Sequence, residues 1–140
     1  MKCLNCNKKY EIDKKLECPN CGWIHPQIRE EKEKLSEIPT IDKKMKRILI
    51  ALRILGFDTA KSCQGHSKEG YPWIEMSFNN KDKIKSLKRL LRHHNNKENG
   101  EWEVFQYYGT IIRPKDRSIA IDKLQRQIQN LGNDILNSLR

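Results

Sequence analysis

The sequence predicts an α+β protein. A small N-terminal metal-binding module precedes a domain of helix-strand-strand-helix-strand-strand-helix order, with a mainly antiparallel sheet covered by helices. Three observations predict it. Four of the five cysteines fall in the first 21 residues as two Cys-x-x-Cys pairs. Three later stretches repeat apolar residues every three or four positions, the period of a half-buried helix. Short runs rich in aromatic and β-branched residues lie between them, as strands require.

Cys3, Cys6, Cys18 and Cys21 form two pairs separated by eleven residues. Two residues between thiolates let both sulfurs of a tight turn face one ion, and two such turns supply a closed tetrahedral set. Gly22 suits the turn after the last ligand because glycine tolerates positive φ. Disulfides need an oxidising compartment, and a redox Cys-x-x-Cys needs a βαβ context that a segment of about 20 residues does not provide. The reading is one structural Zn2+, although spacing does not separate zinc from iron. Tyr10, Ile12 and Leu16 are expected to pack with Leu4, Trp23 and Ile24 around it. So short a segment buries too little surface to fold alone, so the metal supplies its folding energy.

Residues 1–24 resemble the zinc-ribbon family, whose members occur in nucleic-acid proteins and as structural or protein-docking modules. The ribbon is assigned residues 1–25. Its Lys8, Lys9, Lys14 and Lys15 are interleaved with Glu11, Asp13 and Glu17 and read as a solvated surface. Residues 26–38, bracketed by Pro26 and Pro39, are dominated by charge from Arg29 to Glu37 and read as a linker.

The second domain is assigned residues 39–140. Ile41, Met45, Ile48, Leu49, Leu52 and Leu55 recur at helical spacing, with Thr40 placed to cap the start and Gly56 to end the helix. Residues 57–63 read as a short strand or loop, and 73–78 as a strand with Ile74, Met76 and Phe78 on one face. Asn79-Asn80 stops that strand. A second helix is expected from about Lys81 to His94, with Ile84, Leu87, Leu91 and His94 on its apolar face. Its end, His93-His94, reads as structural, His94 as a core histidine. Two strands follow, Trp102 to Tyr108 and Thr110 to Arg113. A long helix from about Ile119 carries the heptad-like seam Ile121, Leu124, Ile128, Leu131 and Ile135. Such a seam packs on a sheet or on a second copy, so monomer and homodimer both stay open.

One loop is rich in chemistry. Ser62, Cys63, Gly65 and His66 stand together before a strand, where loops on rigid scaffolds often carry function. Cys63 and His66 have metal-ligand spacing, with His93, His94 and Asp58 as further ligands by type. Cys63 with His66 as its base would instead be a nucleophile, without an evident third residue. In the favoured reading the loop is a structural or ligand-binding turn, with Gly65 allowing close backbone approach. The segment Gly56 to His66, resuming at Trp73-Ile74, resembles a small domain of uncharacterised bacterial and phage proteins. They share a Gly-aromatic-x-Thr-x-x-Ser-Cys-x-Gly-His pattern. The resemblance implies a common fold and a common ligand site. Thr59 to Gly65 is faintly similar to the wybutosine-synthesis methyltransferase family, but His66 departs from the arginine of that pattern, and no methyl-donor chemistry is carried over.

The chain has 28 Lys+Arg against 18 Asp+Glu, a formal charge of +10, which attracts polyanions. The excess gathers most in residues 81–99, where Lys81, Lys85, Lys88 and Arg92 form a stripe at i, i+4, i+7 and i+11, extended by Lys83 and Arg89. Trp73, Trp102, Tyr107 and Tyr108 offer stacking surfaces where exposed and core packing where buried. No apolar run reaches membrane-helix length and no apolar stretch follows the N-terminal positive charge, so no membrane is involved and the chain reads as cytoplasmic. No phosphate-binding Gly-x-x-x-x-Gly-Lys loop or His-Glu-x-x-His pattern is present. The expected function is a non-enzymatic zinc-binding protein that associates with nucleic acid through the basic helix and the ribbon. A nucleotide-like anion binder or small enzyme centred on the Ser-Cys-x-Gly-His loop is the alternative. A protein-docking adaptor, acting through the ribbon or the C-terminal helix, is a further one.

Overall fold

The computed structural model describes residues 1–96, 99–106 and 108–139. Among these the protein is α+β, with four α-helices and one four-stranded antiparallel sheet. The elements are α1 (Pro26–Ser36), a 3₁₀ turn (Lys43–Met45) leading into α2 (Lys46–Ile54), β1 (Thr59–Cys63) and β2 (Trp73–Met76). They continue with α3 (Lys81–His94), β3 (Trp102–Gln106), β4 (Thr110–Pro114) and α4 (Ile121–Asn137). The strand order is β1-β2-β4-β3.

The charged stretch expected as a linker is helical. His25 Nδ1 accepts the Gln27 N–H at 3.2 Å, and Pro26 takes the first helical position, where a missing N–H costs nothing. Ile28 and Leu35, two turns apart, are both buried and give α1 the apolar face that composition hid. The helix packs on α2, with Glu31 Oε2 accepting from Arg53 Nε at 2.8 Å. Thr40 does not cap the next helix: the 3₁₀ turn begins after Asp42, and α2 grows from it. Gly56 ends that stretch at φ +88°.

Helix α3 starts where Asn80 Oδ1 accepts the N–H groups of Asp82 (2.8 Å) and Lys83 (3.3 Å). Ile84, Leu87, Leu91 and His94 are buried along one side, and His94 Nδ1 meets Asp134 Oδ2 of α4 at 2.5 Å. Four of the five seam residues of α4 are taken up by the core: Leu124, Ile128, Leu131 and Ile135 are buried, and Ile121 is half-buried. Gly132 lies at the crossing of α4 with α2. A Cβ there would stand 2.7 Å from the backbone nitrogen of Ile48, so only glycine allows this approach.

The sheet is covered on one side. Ile74 pairs with Ile112, and Trp102 with Pro114; these four and Met76 are buried. On the other side, cross-strand pairing aligns Lys61 with Glu75, Glu75 with Ile111, and Ile111 with Phe105. One apolar cluster runs from Cys3, Tyr10 and Ile12 through α1 and α2 to Ile135 and Leu136, so the N-terminal segment shares the core of the rest. Among the described residues no helix is long and apolar enough to cross a membrane.

Candidate metal centre and open sheet face

The cysteine cluster is built from two turns of the same form. Asn7 N–H donates to the Cys3 carbonyl at 2.9 Å and Gly22 N–H to the Cys18 carbonyl at 2.8 Å. Each of those residues has positive φ, +62° for Asn7 and +79° for Gly22. Asparagine tolerates the left-handed region better than most side chains, so Asn7 after the second cysteine is the counterpart of Gly22. The four sulfurs converge within 4.8 Å of one another. Cys3 and Cys21 stand 3.5 Å apart and Cys6 and Cys18 3.7 Å, far beyond a disulfide bond. A tetrahedral ion with bonds near 2.3 Å to sulfur sets its ligands about 3.8 Å apart, so the spacing suits one metal ion.

The electrostatics agree. Burial pushes the Cys3 thiol up to about 11. The Lys8 backbone N–H, then the Asn20 side chain, pull Cys6 down to about 6. The Asn5 side chain, then the Trp23 backbone N–H, lower Cys21. Amide donors thus favour thiolate at two of the sulfurs, while burial disfavours it at Cys3. The cluster can hold a metal ion.

Around it, Tyr10, Ile12, Leu16 and Ile24 are buried and Trp23 is half-buried, but Leu4 is exposed. Arg47 of α2 fastens this segment to the domain. It donates to the carbonyls of Ile12 and Lys14 and to Asn133 Oδ1. Burial lowers its affinity for the proton.

The Ser-Cys-x-Gly-His loop leaves the end of β1. Cys63 is the cross-strand partner of Trp73, while Ser62 pairs with Ile74, so their side chains leave on opposite faces. Gly65 (φ +80°) is wedged where a Cβ would meet Ile121 Cδ1 at 2.5 Å. Gln125 Nε2 donates to the carbonyls of both Gln64 and Gly65 at 3.0 Å. Asp42, not recognised from sequence, completes the cluster: its Oδ2 accepts the Gln64 N–H at 2.9 Å and lies 3.2 Å from His66 Nε2. The residues expected by type to join Cys63 and His66 do not: His94 is bound to Asp134, His93 packs edge-on against it, and Asp58 caps Ser77 through its carbonyl.

The uncovered side of the sheet carries a shallow depression of about 380 Å3 lined by Lys61, Tyr71, Trp73, Glu75, Phe105, Ile111 and Arg113, so one carboxylate stands among its cations. The Arg113 guanidinium lies 3.5 Å over the Phe105 ring and its Nε is 3.0 Å from Glu103. Arg117 stands 5.8 Å from the Tyr71 ring. Of the other aromatic residues expected to stack, Trp102 is a core residue whose Nε1 donates to the Asn99 carbonyl at 2.8 Å. Tyr108 is 96% exposed, and Tyr107 lies outside the described residues. Lys81, Lys85, Lys88, Arg89 and Arg92 are all exposed on α3. That helix packs on β3 and α4, at the sheet edge away from β1. The basic stripe and the Ser-Cys-x-Gly-His loop are therefore separate features.

No family model, curated protein or solved structure matches the chain.

Proposed function

We propose that the protein is a zinc-binding protein that associates with single-stranded nucleic acid, with a structural zinc ribbon in residues 1–25. The observation that carries this is the open sheet face. It offers aromatic rings and guanidinium planes, on which bases stack whatever their identity, beside cations that suit phosphate. Trp73 and Tyr71 are the open rings, and the Arg113 guanidinium stacked on Phe105 is a third platform; Lys61 is the nearest cation, while Arg113 and Arg117 share the Glu103 carboxylate. The α3 stripe, Lys81, Lys85, Lys88, Arg89 and Arg92, adds a second, sequence-independent attraction from the covered side of the sheet. Zinc fits the four-sulfur set because a d¹⁰ ion accepts tetrahedral thiolate coordination without geometric preference of its own.

Fluorescence anisotropy with a labelled mixed-sequence oligonucleotide tests the reading. At low salt the zinc-loaded chain binds unpaired strand, and affinity falls steeply as salt rises. Trp73→Ala and Phe105→Ala each weaken binding by roughly 10- to 100-fold, the worth of one stacked base. Charge reversal at Lys81, Lys85 and Lys88 flattens the salt dependence instead. Absence of binding at low salt, or binding indifferent to loss of both rings, would overturn it.

A further inference from the structure

We propose that Asp42, Cys63 and His66 hold a second metal ion, of the zinc class, with an open coordination position. The site is independent of the nucleic-acid reading. One imidazole nitrogen, one carboxylate oxygen and one sulfur converge within 4.8 Å of one another, drawn from the turn before α2, the last residue of β1 and the β1–β2 loop. His66 Nε2 and Asp42 Oδ2 are 3.2 Å apart. Nitrogen and oxygen ligands of a tetrahedral zinc, each near 2.0–2.2 Å from the ion, stand about 3.4 Å from each other. An Asp–His contact alone accounts for that distance; the thiol, whose Sγ accepts the Gly65 N–H at 3.3 Å, is held beside it by the turn, so all three donors face one point before any ion binds.

The donor types select the ion. A mixed N, O, S set suits a borderline-soft divalent cation and is poor for magnesium or calcium, which take oxygen. The loop is also held before any ion arrives. Gln125 fixes two successive carbonyls, Asp42 fixes the Gln64 amide, Gln64 Oε1 accepts the Lys44 N–H at 3.3 Å, and Gly65 is locked under Ile121. A site rigid in advance spends less on ordering when the metal binds.

Unlike the four-cysteine cluster, where Cys3 and Cys18 are buried, it has no buried ligand. The His66 side chain is 63% exposed and that of Asp42 is 23% exposed, so solvent reaches the ligands. Three protein ligands with solvent access leave a fourth position for water or an anion, the arrangement of reactive rather than structural zinc. Because Cys63 shares a sheet face with its partner Trp73, the ion would lie at the corner of the aromatic face.

Cobalt(II) titration of the full chain, followed by optical absorption and native mass spectrometry, tests the site. Two equivalents are expected: a tight one with the intense charge transfer of four thiolates, then a weaker one contributing a single thiolate. Cys63→Ser, His66→Ala and Asp42→Asn each weaken the second by about 100-fold or more and leave the first unchanged. Gln125→Ala, which touches no ion, weakens it by about 10-fold through loss of loop positioning. Saturation at one equivalent would overturn the proposal. So would a second equivalent that survives the combined Cys63→Ser and His66→Ala changes, whose partly exposed side chains leave the core intact.

Discussion

Residues 1–25 and the described residues between 43 and 139 reach order by different means. The first region has one isolated bridge, Lys2 to Lys9, and no helix; four sulfurs meet at its centre. The second has three helices against a four-stranded sheet, and its centre is aliphatic, from Ile48 and Leu52 to Ile128 and Leu131. Chain length explains the contrast. A segment of this size cannot bury enough apolar surface to offset its conformational entropy, whereas the longer one can. Yet the two are not independent, since Arg47 and the shared apolar cluster bind them.

The largest expected effect separates the regions outright. Removing the metal with a chelator should strip residues 1–25 of amide-exchange protection, because about 10–16 kcal/mol of apparent metal-binding energy holds such a module. Residues in α2, α4 and the central strands should keep theirs. Acidification should do the same: thiolate ligands must take up protons to release the ion, so metal affinity falls as pH falls. Gly132→Ala reverses the selectivity. Its Cβ would press on Ile48 and Arg47 backbone, costing roughly 1–3 kcal/mol of global stability by denaturant melting, with the metal still bound at the midpoint's foot.

Arg47→Met addresses the joint. It leaves the Ile12 and Lys14 carbonyls without their donor, at about 1–2 kcal/mol. Exchange should rise first near Ile12, with α4 less affected. The smallest effect has the opposite sign. Thr110 Oγ1 is buried with no hydrogen-bond partner among the described residues, so Thr110→Val should leave stability unchanged or raise it by up to about 1 kcal/mol.

Local physics made some elements legible and hid others. Helix α3 is found where expected because a cap, a charged first turn and apolar residues at Ile84, Leu87 and Leu91 agree. The cysteine spacing likewise places four donors together without any tertiary information. Helix α1 was obscured because only Ile28 and Leu35 anchor it among charges. Asp42 was invisible as a partner of His66, since their meeting depends on how the turn before α2 lies beside β1. The open face was half legible: alternation divides Trp73 from Ile74, but which side the helices cover is decided by packing.

The strand order has a kinetic consequence. β1 with β2, and β3 with β4, are neighbours in sequence and close short loops. The sheet becomes whole only when β2 meets β4, joining Ile74 to Ile112 across all of α3 and β3. That long closure carries the main entropic cost of the topology and should govern how fast the chain folds. Helix α3 lies inside the loop being closed. Each turn it forms early shortens the search, so the Asn80 cap at its start acts on folding speed as well as on stability.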